Sequence, residues 1–109
     1  MAKFMVLYRS STTAREQMTS VTPQEMKAGM DAWMAWATRA GDSIVDFGTP
    51  LAYATHVGPG TAAADDIAGY SILQGNSATS VAAVLDGHPH LETPGNSIEI
   101  LESLTAPGP

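Results

Sequence analysis

The densest group of chemically capable side chains in this sequence is Asp86-Gly87-His88-Pro89-His90, which holds two of the three histidines within three residues. Neutral imidazole, with an ordinary pKa of about 6.5, is the natural proton-transfer group near neutrality. Two readings of His88 stand open. It is either an acid–base group or a cap on a helix end, where a ring N–H satisfies a free carbonyl and the helix dipole favours the charged ring. A His-x-His pair is also part of a metal-ligand set, but with no third ligand nearby the sequence predicts no metal. Asp46 lies among Ile44, Val45 and Phe47, where a carboxylate is out of place unless it is paired, functional or on an edge facing water. On a cavity-facing strand it can orient a histidine or act as a base. Arg9 carries a planar fork suited to a substrate carboxylate, or else it is a solvated strand end. Tyr8, Tyr53 and Tyr70 offer hydroxyls to a cavity or simply pack. His56, before a glycine-rich turn, reads as exposed.

These groups must be positioned by a small set of elements. Residues 3–9, Lys-Phe-Met-Val-Leu-Tyr-Arg, form an apolar run rich in strand formers. Ser10 to Ser20 reads as a polar loop, long enough to be a flap. Thr22-Pro23-Gln24-Glu25 is a capping box with proline at the first helical position. Behind it Met26, Met30, Trp33, Met34 and Ala37 make a helical stripe, predicted to face the core, up to a stop at Gly41. Trp36 lies about 80° from the centre of that stripe, which predicts a rim residue walling an aromatic ligand or a subunit interface. Ser43–Phe47 reads as a second strand that bends at Gly48-Thr49-Pro50 and continues through residues 51–57, with a loop through Asp65 and Asp66 behind it. Ile67–Gln74 reads as a third strand. Ser77 caps a second helix through Leu85, and Ser97–Ser103 forms a fourth strand. The predicted fold is α+β, a ferredoxin-like βαββαβ domain over residues 1–104 with both helices on one face of a four-stranded antiparallel sheet, followed by a frayed tail, 105–109.

Composition narrows the function classes. The chain of 109 residues is 44% hydrophobic and carries a net charge of −6, with five basic residues scattered along it. Nucleic-acid binding requires a basic stripe, which the sequence lacks. No apolar run approaches the ~20 residues of a membrane span, and the start does not read as a signal peptide. The absence of cysteine excludes disulfide and thiolate chemistry and fits a cytoplasmic setting. Phosphate-cradling glycine loops, a Gly-x-Ser-x-Gly elbow and a zinc-protease helix are all missing, which speaks against phosphoryl and hydride transfer.

The predicted strands are apolar on both faces: Phe4, Val6 and Tyr8 against Met5 and Leu7, and Ile67 and Leu73 against Ala68, Tyr70 and Ile72. Two helices cover one face. The economical cover for the other is a second copy of the chain, so a homodimer is expected.

The order and spacing of Lys3-Phe4-Met5-Val6-Leu7-Tyr8, Ala40-Gly41, Ile67-Ala68-Gly69-Tyr70-Ser71-Ile72, His88-Pro89 and Gly95 with Ile98-Glu99-Ile100 resemble the YCII-related (DGPF-domain) family of dimeric α/β-barrel proteins over residues 3–104. The Asp-Gly-Pro-Phe tetrapeptide of one branch is absent; the equivalent loop reads Val57-Gly58-Pro59-Gly60-Thr61. The resemblance implies a homodimer with a cavity between sheet and partner. It also places His88 at the family's His-Pro position, and it includes relatives tied to sigma factors.

Two function classes follow. The first is an enzyme without cofactor (a lyase, isomerase or cyclase) acting on a small hydrophobic or aromatic acid. His88 or His90 would move the proton, Asp46 would orient or share it, and Arg9 would hold the anion, with Tyr8, Tyr70 and Trp36 around the ligand. A cofactor-independent oxygenase is a variant of this class. The second is a non-catalytic ligand-binding or regulatory module.

Overall fold

A computed structural model describes residues 1–60 and 66–105; Asp65 in the expected loop and most of the expected tail, 106–109, lie outside the described residues. The elements are β1 (Ala2–Arg9), α1 (Ala14–Ser20), α2 (Pro23–Ala40), β2 (Ile44–Asp46), β3 (Ile67–Gly75), α3 (Ala78–Val84) and β4 (Ser97–Glu102), with short 3-10 turns at Gly41–Ser43 and Pro89–Glu92. The four strands form one antiparallel sheet of order β2-β3-β1-β4. This is the expected ferredoxin-like α+β arrangement, with the helices on one face.

Alternation in β1 drives the layering. Phe4, Val6 and Tyr8 turn towards the helices and are buried, as are Leu73 of β3 and Val81 and Leu85 from the α3 segment. The register sets Tyr8 opposite Gly69 and Ile98, and Val6 opposite Ser71 and Ile100, so the core runs across β3, β1 and β4. The intervening residues face away from the helices. Met5 pairs with Ile72 on one side and Leu101 on the other, and Leu7 pairs with Tyr70, giving an apolar row with no layer over it. The molecule is 22 Å thick along its shortest axis, which is room for one sheet and one helical layer spaced by about 10 Å.

Helix α2 differs from the expected stripe. Its capping box is present: Thr22 Oγ1 accepts the Glu25 N–H and Glu25 Oε1 accepts the Thr22 N–H. The face on the sheet is made by Trp33, Trp36, Ala37 and Ala40, and Trp36, expected at the rim, is only 1% exposed. Its indole N–H donates to the Val84 carbonyl at 3.0 Å. Met26, Met30 and Met34 are all about half exposed instead. The reason is bulk: the two indoles fill the space over β1, while every residue from Thr22 to Asp31 stays exposed. The N-terminal half of α2 overhangs.

Two other expectations change. The expected loop at 10–20 contains α1, whose N-terminus is capped by Thr13 Oγ1 accepting the Glu16 N–H; seven residues are too short to show helical periodicity. The second strand ends at Asp46 and does not continue through 51–57. Asp46 Oδ1 accepts the Gly48 N–H at 2.9 Å, a local turn that competes with the ladder. Gly48 itself has φ +82°, and a Cβ there would overlap the Tyr70 carbonyl. The chain makes one bridge, Pro50 to Gly69, and residues 51–60 are then irregular and exposed.

Trp36→Ala is expected to cost roughly 3–5 kcal/mol, whereas Met34→Lys should change stability by no more than about 0.5 kcal/mol. Urea titration with the reverse ranking would return the methionine stripe to the core.

Candidate functional site

The overhang of α2 creates a cavity of about 360 Å³ between α1, the N-terminal half of α2 and the sheet. Its ceiling is Met18, Met26, Met30 and Trp33, and its floor runs over Tyr8, Ala68 and Gly69 to the Phe47–Pro50 strap. The lining is predominantly apolar, with polar groups from Tyr8, Gln17, Glu25, Thr49 and His90, the usual make-up of a small-molecule site.

Most of those polar groups are already engaged. The Tyr8 hydroxyl lies 2.8 Å from Ser71 Oγ, and Ser71 Oγ donates to the Phe47 carbonyl at 2.6 Å. Tyr8 is therefore the donor in its pair. Burial pushes the Tyr8 phenol up to about 12, against a smaller opposing effect of the Ser71 bond, so it stays protonated. Gln17 Nε2 donates to Ser10 Oγ and to the Thr12 carbonyl.

The two histidines divide sharply. His90 is 9% exposed and reaches the cavity wall, edge-on to Tyr8 with ring centroids 5.3 Å apart. Its Nε2 lies 2.8 Å from the Arg9 carbonyl. A carbonyl only accepts, so the network assigns the hydrogen to Nε2 and leaves Nδ1 of the neutral ring as the acceptor. The Asn96 amide stands 3.5 Å from that Nδ1. His88, by contrast, is 0% exposed. It is enclosed by Tyr8, Trp33 and Trp36, with ring centroids at 5.0, 4.4 and 4.4 Å. Its Nδ1 accepts the His90 backbone N–H at 3.0 Å, capping the 3-10 turn that carries His90. Its Nε2 has no hydrogen-bond partner among the described residues, and the surrounding π faces offer that N–H only weak acceptors. Loss of solvation first, then the neighbouring His90 and Arg39, lower the His88 pKa to about 4.

The remaining candidates lie elsewhere. Asp46 is exposed; its Oδ2 accepts the Tyr70 hydroxyl at 3.3 Å, and that carboxylate is the main cause of the raised Tyr70 pKa. Tyr70 borders the cavity but directs its hydroxyl to Asp46. The Arg9 guanidinium is paired with the Asp66 carboxylate and does not line the cavity. Trp36 lies beneath the cavity, in the core. Tyr53 and His56 are exposed on the irregular segment. The fold thus brings Tyr8, Tyr70 and His90 to one cavity, sets His88 behind them, and leaves Asp46 and Arg9 outside. Sequence reading missed the methionine ceiling, α1 and the Ser71 relay. The Thr13-x-x-Glu16 spacing repeats the capping signature of Thr22-x-x-Glu25 and marks α1; nothing comparable marks Ser71. Among the described residues no three metal-ligating side chains converge, and no helix is long and apolar enough to cross a membrane.

No family model and no curated protein matches the chain. Among solved structures, 5-chloro-2-hydroxyhydroquinone dehydrochlorinase (TftG) from Burkholderia phenoliruptrix AC1100, in complex with 2,5-dihydroxybenzoquinone, is similar at 16% identity and a TM-score of 0.46, over 89% of this chain and 90% of that one. A likeness at that level bears on neither substrate nor reaction.

The buried neutral His88 predicts a pH dependence of stability. Between its folded pKa of about 4 and an unfolded value of about 6.5, the unfolded chain binds more protons. Stability from this group is complete above that upper value and falls as the pH drops towards the lower one. His88→Phe should flatten the melting-temperature profile between those limits relative to the native chain; parallel profiles would refute the assignment.

Proposed function

We propose that this chain is a YCII-related small-molecule-binding protein. Its cavity takes an uncharged, apolar aromatic molecule, and its uncovered sheet face pairs with a second copy. The observation that carries the reading is the cavity's lining: methionine, tryptophan, phenylalanine and proline side chains with a few hydrogen-bonding groups, and no lysine or arginine among the described residues. Glu25 is the one carboxyl side chain that lines it. An aromatic acid would meet no cation there, since Arg9 is tied to Asp66, and burying an unpaired carboxylate is costly. This departs from the acid expected from Arg9. The row Ile72, Met5, Leu101 with Leu7 supports the homodimer, because apolar side chains set side by side on one sheet face favour an interface.

A second reading, acid–base catalysis without a cofactor, is favoured by one observation: His90 Nδ1 is an acceptor on a ring that reaches the cavity beside Tyr8. In that reading His90 takes the proton, Tyr8, its hydrogen committed to Ser71, packs against the His90 ring, and His88 is a positioning residue that fixes the His90 backbone. Asp46 and Arg9 contact no substrate held in this cavity.

Three outcomes test this. 2-Naphthol should bind at least tenfold more tightly than 2-naphthoate by fluorescence titration; equal affinities would defeat the uncharged-ligand reading. Any turnover found among small aromatic compounds should vanish in His90→Ala while 2-naphthol affinity is kept; surviving turnover removes His90 from the chemistry. Light scattering should give twice the chain mass for the native protein and the single-chain mass for a Met5→Asp, Leu7→Asp double variant, whereas a native monomer would end the dimer reading.

A further inference from the structure

We propose that Gly29 is a specificity-determining residue: its bare backbone makes a notch in the cavity ceiling that admits a flat ring system against α2. The inference rests on the cavity being a ligand site. Glycine is the poorest helix former after proline, because it loses the most backbone freedom on folding. Gly29 nevertheless lies in the middle of α2, the longest helix of the chain. Its conformation does not call for glycine, since it is not among the residues with positive φ. Packing within the chain does not call for it either, because a Cβ built there meets no atom within 4 Å.

Two other glycines of the same lining behave differently. A side chain at Gly48 would overlap the Tyr70 carbonyl, and one at Gly69 would come within 3.3 Å of the Thr49 carbonyl. Those two are explained by the protein's own backbone; Gly29, exposed and lining the cavity, is not. On the helix it sits one turn after Met26 and one turn before Trp33, beside Met30, all of them lining residues. The missing side chain therefore leaves a gap bounded by two flexible thioethers and an indole. Thioethers adapt to an apolar guest and contact aromatic rings favourably. Trp33 is already held edge-on by Tyr8, with centroids 4.9 Å apart, so one wall of the notch is rigid and the methionine walls can adjust. The occupant that fits is a planar, uncharged, fused or substituted aromatic molecule whose edge or face lies on the α2 backbone.

The test uses the full chain, with 2-naphthol and the smaller phenol as probes. Gly29→Ala should raise the melting temperature by about 4 °C, the helix-propensity gain for a domain of this size, and should weaken 2-naphthol at least threefold while leaving phenol within twofold. Gly29→Leu should weaken 2-naphthol at least tenfold with the far-ultraviolet circular dichroism unchanged. Unchanged 2-naphthol affinity in Gly29→Leu overturns the notch, as does an equal loss for both probes. A lower melting temperature for Gly29→Ala also overturns it, by showing that a second copy fills the space. If the native chain binds 2-naphthol poorly from the outset, the ligand-site reading itself fails, an outcome distinct from those three.

Discussion

The structure hangs on one buried aromatic cluster. Tyr8 from β1, Trp33 and Trp36 from α2 and His88 from the turn after α3 share the same space over the central strand. They come from three separate parts of the chain, so their contact fixes where α2 lies on the sheet and where the Pro89–Glu92 turn lies against α2. Large rings gain most from burial and tolerate displacement least. The cost is a ring nitrogen of His88 without a partner among the described residues. That cost keeps the imidazole neutral and makes it a packing element rather than a titrating one.

From that anchor the cavity follows geometrically. The cluster pins the C-terminal half of an 18-residue helix to the core, and the N-terminal half stands off the sheet with the cavity between them. The overhang, propped by α1 and closed below by the Phe47–Pro50 strap, leaves a space lined mostly by apolar side chains. Four of the six methionines are more than half exposed or nearly so around α1 and α2. An apolar, adaptable ceiling over a hydrogen-bonded floor suits a guest held by shape and contact, with orientation set by a few polar atoms.

The polar groups beneath that ceiling are more constrained than their identities suggest. The Tyr8–Ser71–Phe47 relay runs in one direction, ending on a carbonyl, and the His90 ring is held by the Arg9 carbonyl. Such a network orients donors well. The acceptor nitrogen of His90, Nδ1, is faced by the Asn96 amide. The other face of the sheet obeys a different constraint: strands apolar on both sides in a molecule only two layers thick leave one layer's worth of surface to be covered.

The local rules written in the chain were enough for the elements of the βαββαβ frame and their order, though not for α1. Capping boxes, the period-two alternation of β1 and β3, and helix-stopping glycines are nearest-neighbour properties, so α2, α3, the strands, the α+β class and the double-faced greasiness of the sheet could all be read without coordinates. What could not be read depends on how far one element extends over another. Periodicity assigned the core face of α2 to Met26, Met30, Trp33, Met34 and Ala37; packing kept Trp33 and Ala37 there and set Trp36 and Ala40 in place of the methionines. Residues 51–57 alternate like a strand, yet the Asp46 side chain and the Gly48 turn draw the chain off the ladder. His88 and His90 are two residues apart and chemically identical in sequence. Only the packing of Tyr8, Trp33 and Trp36 seals one inside and turns the other towards the cavity.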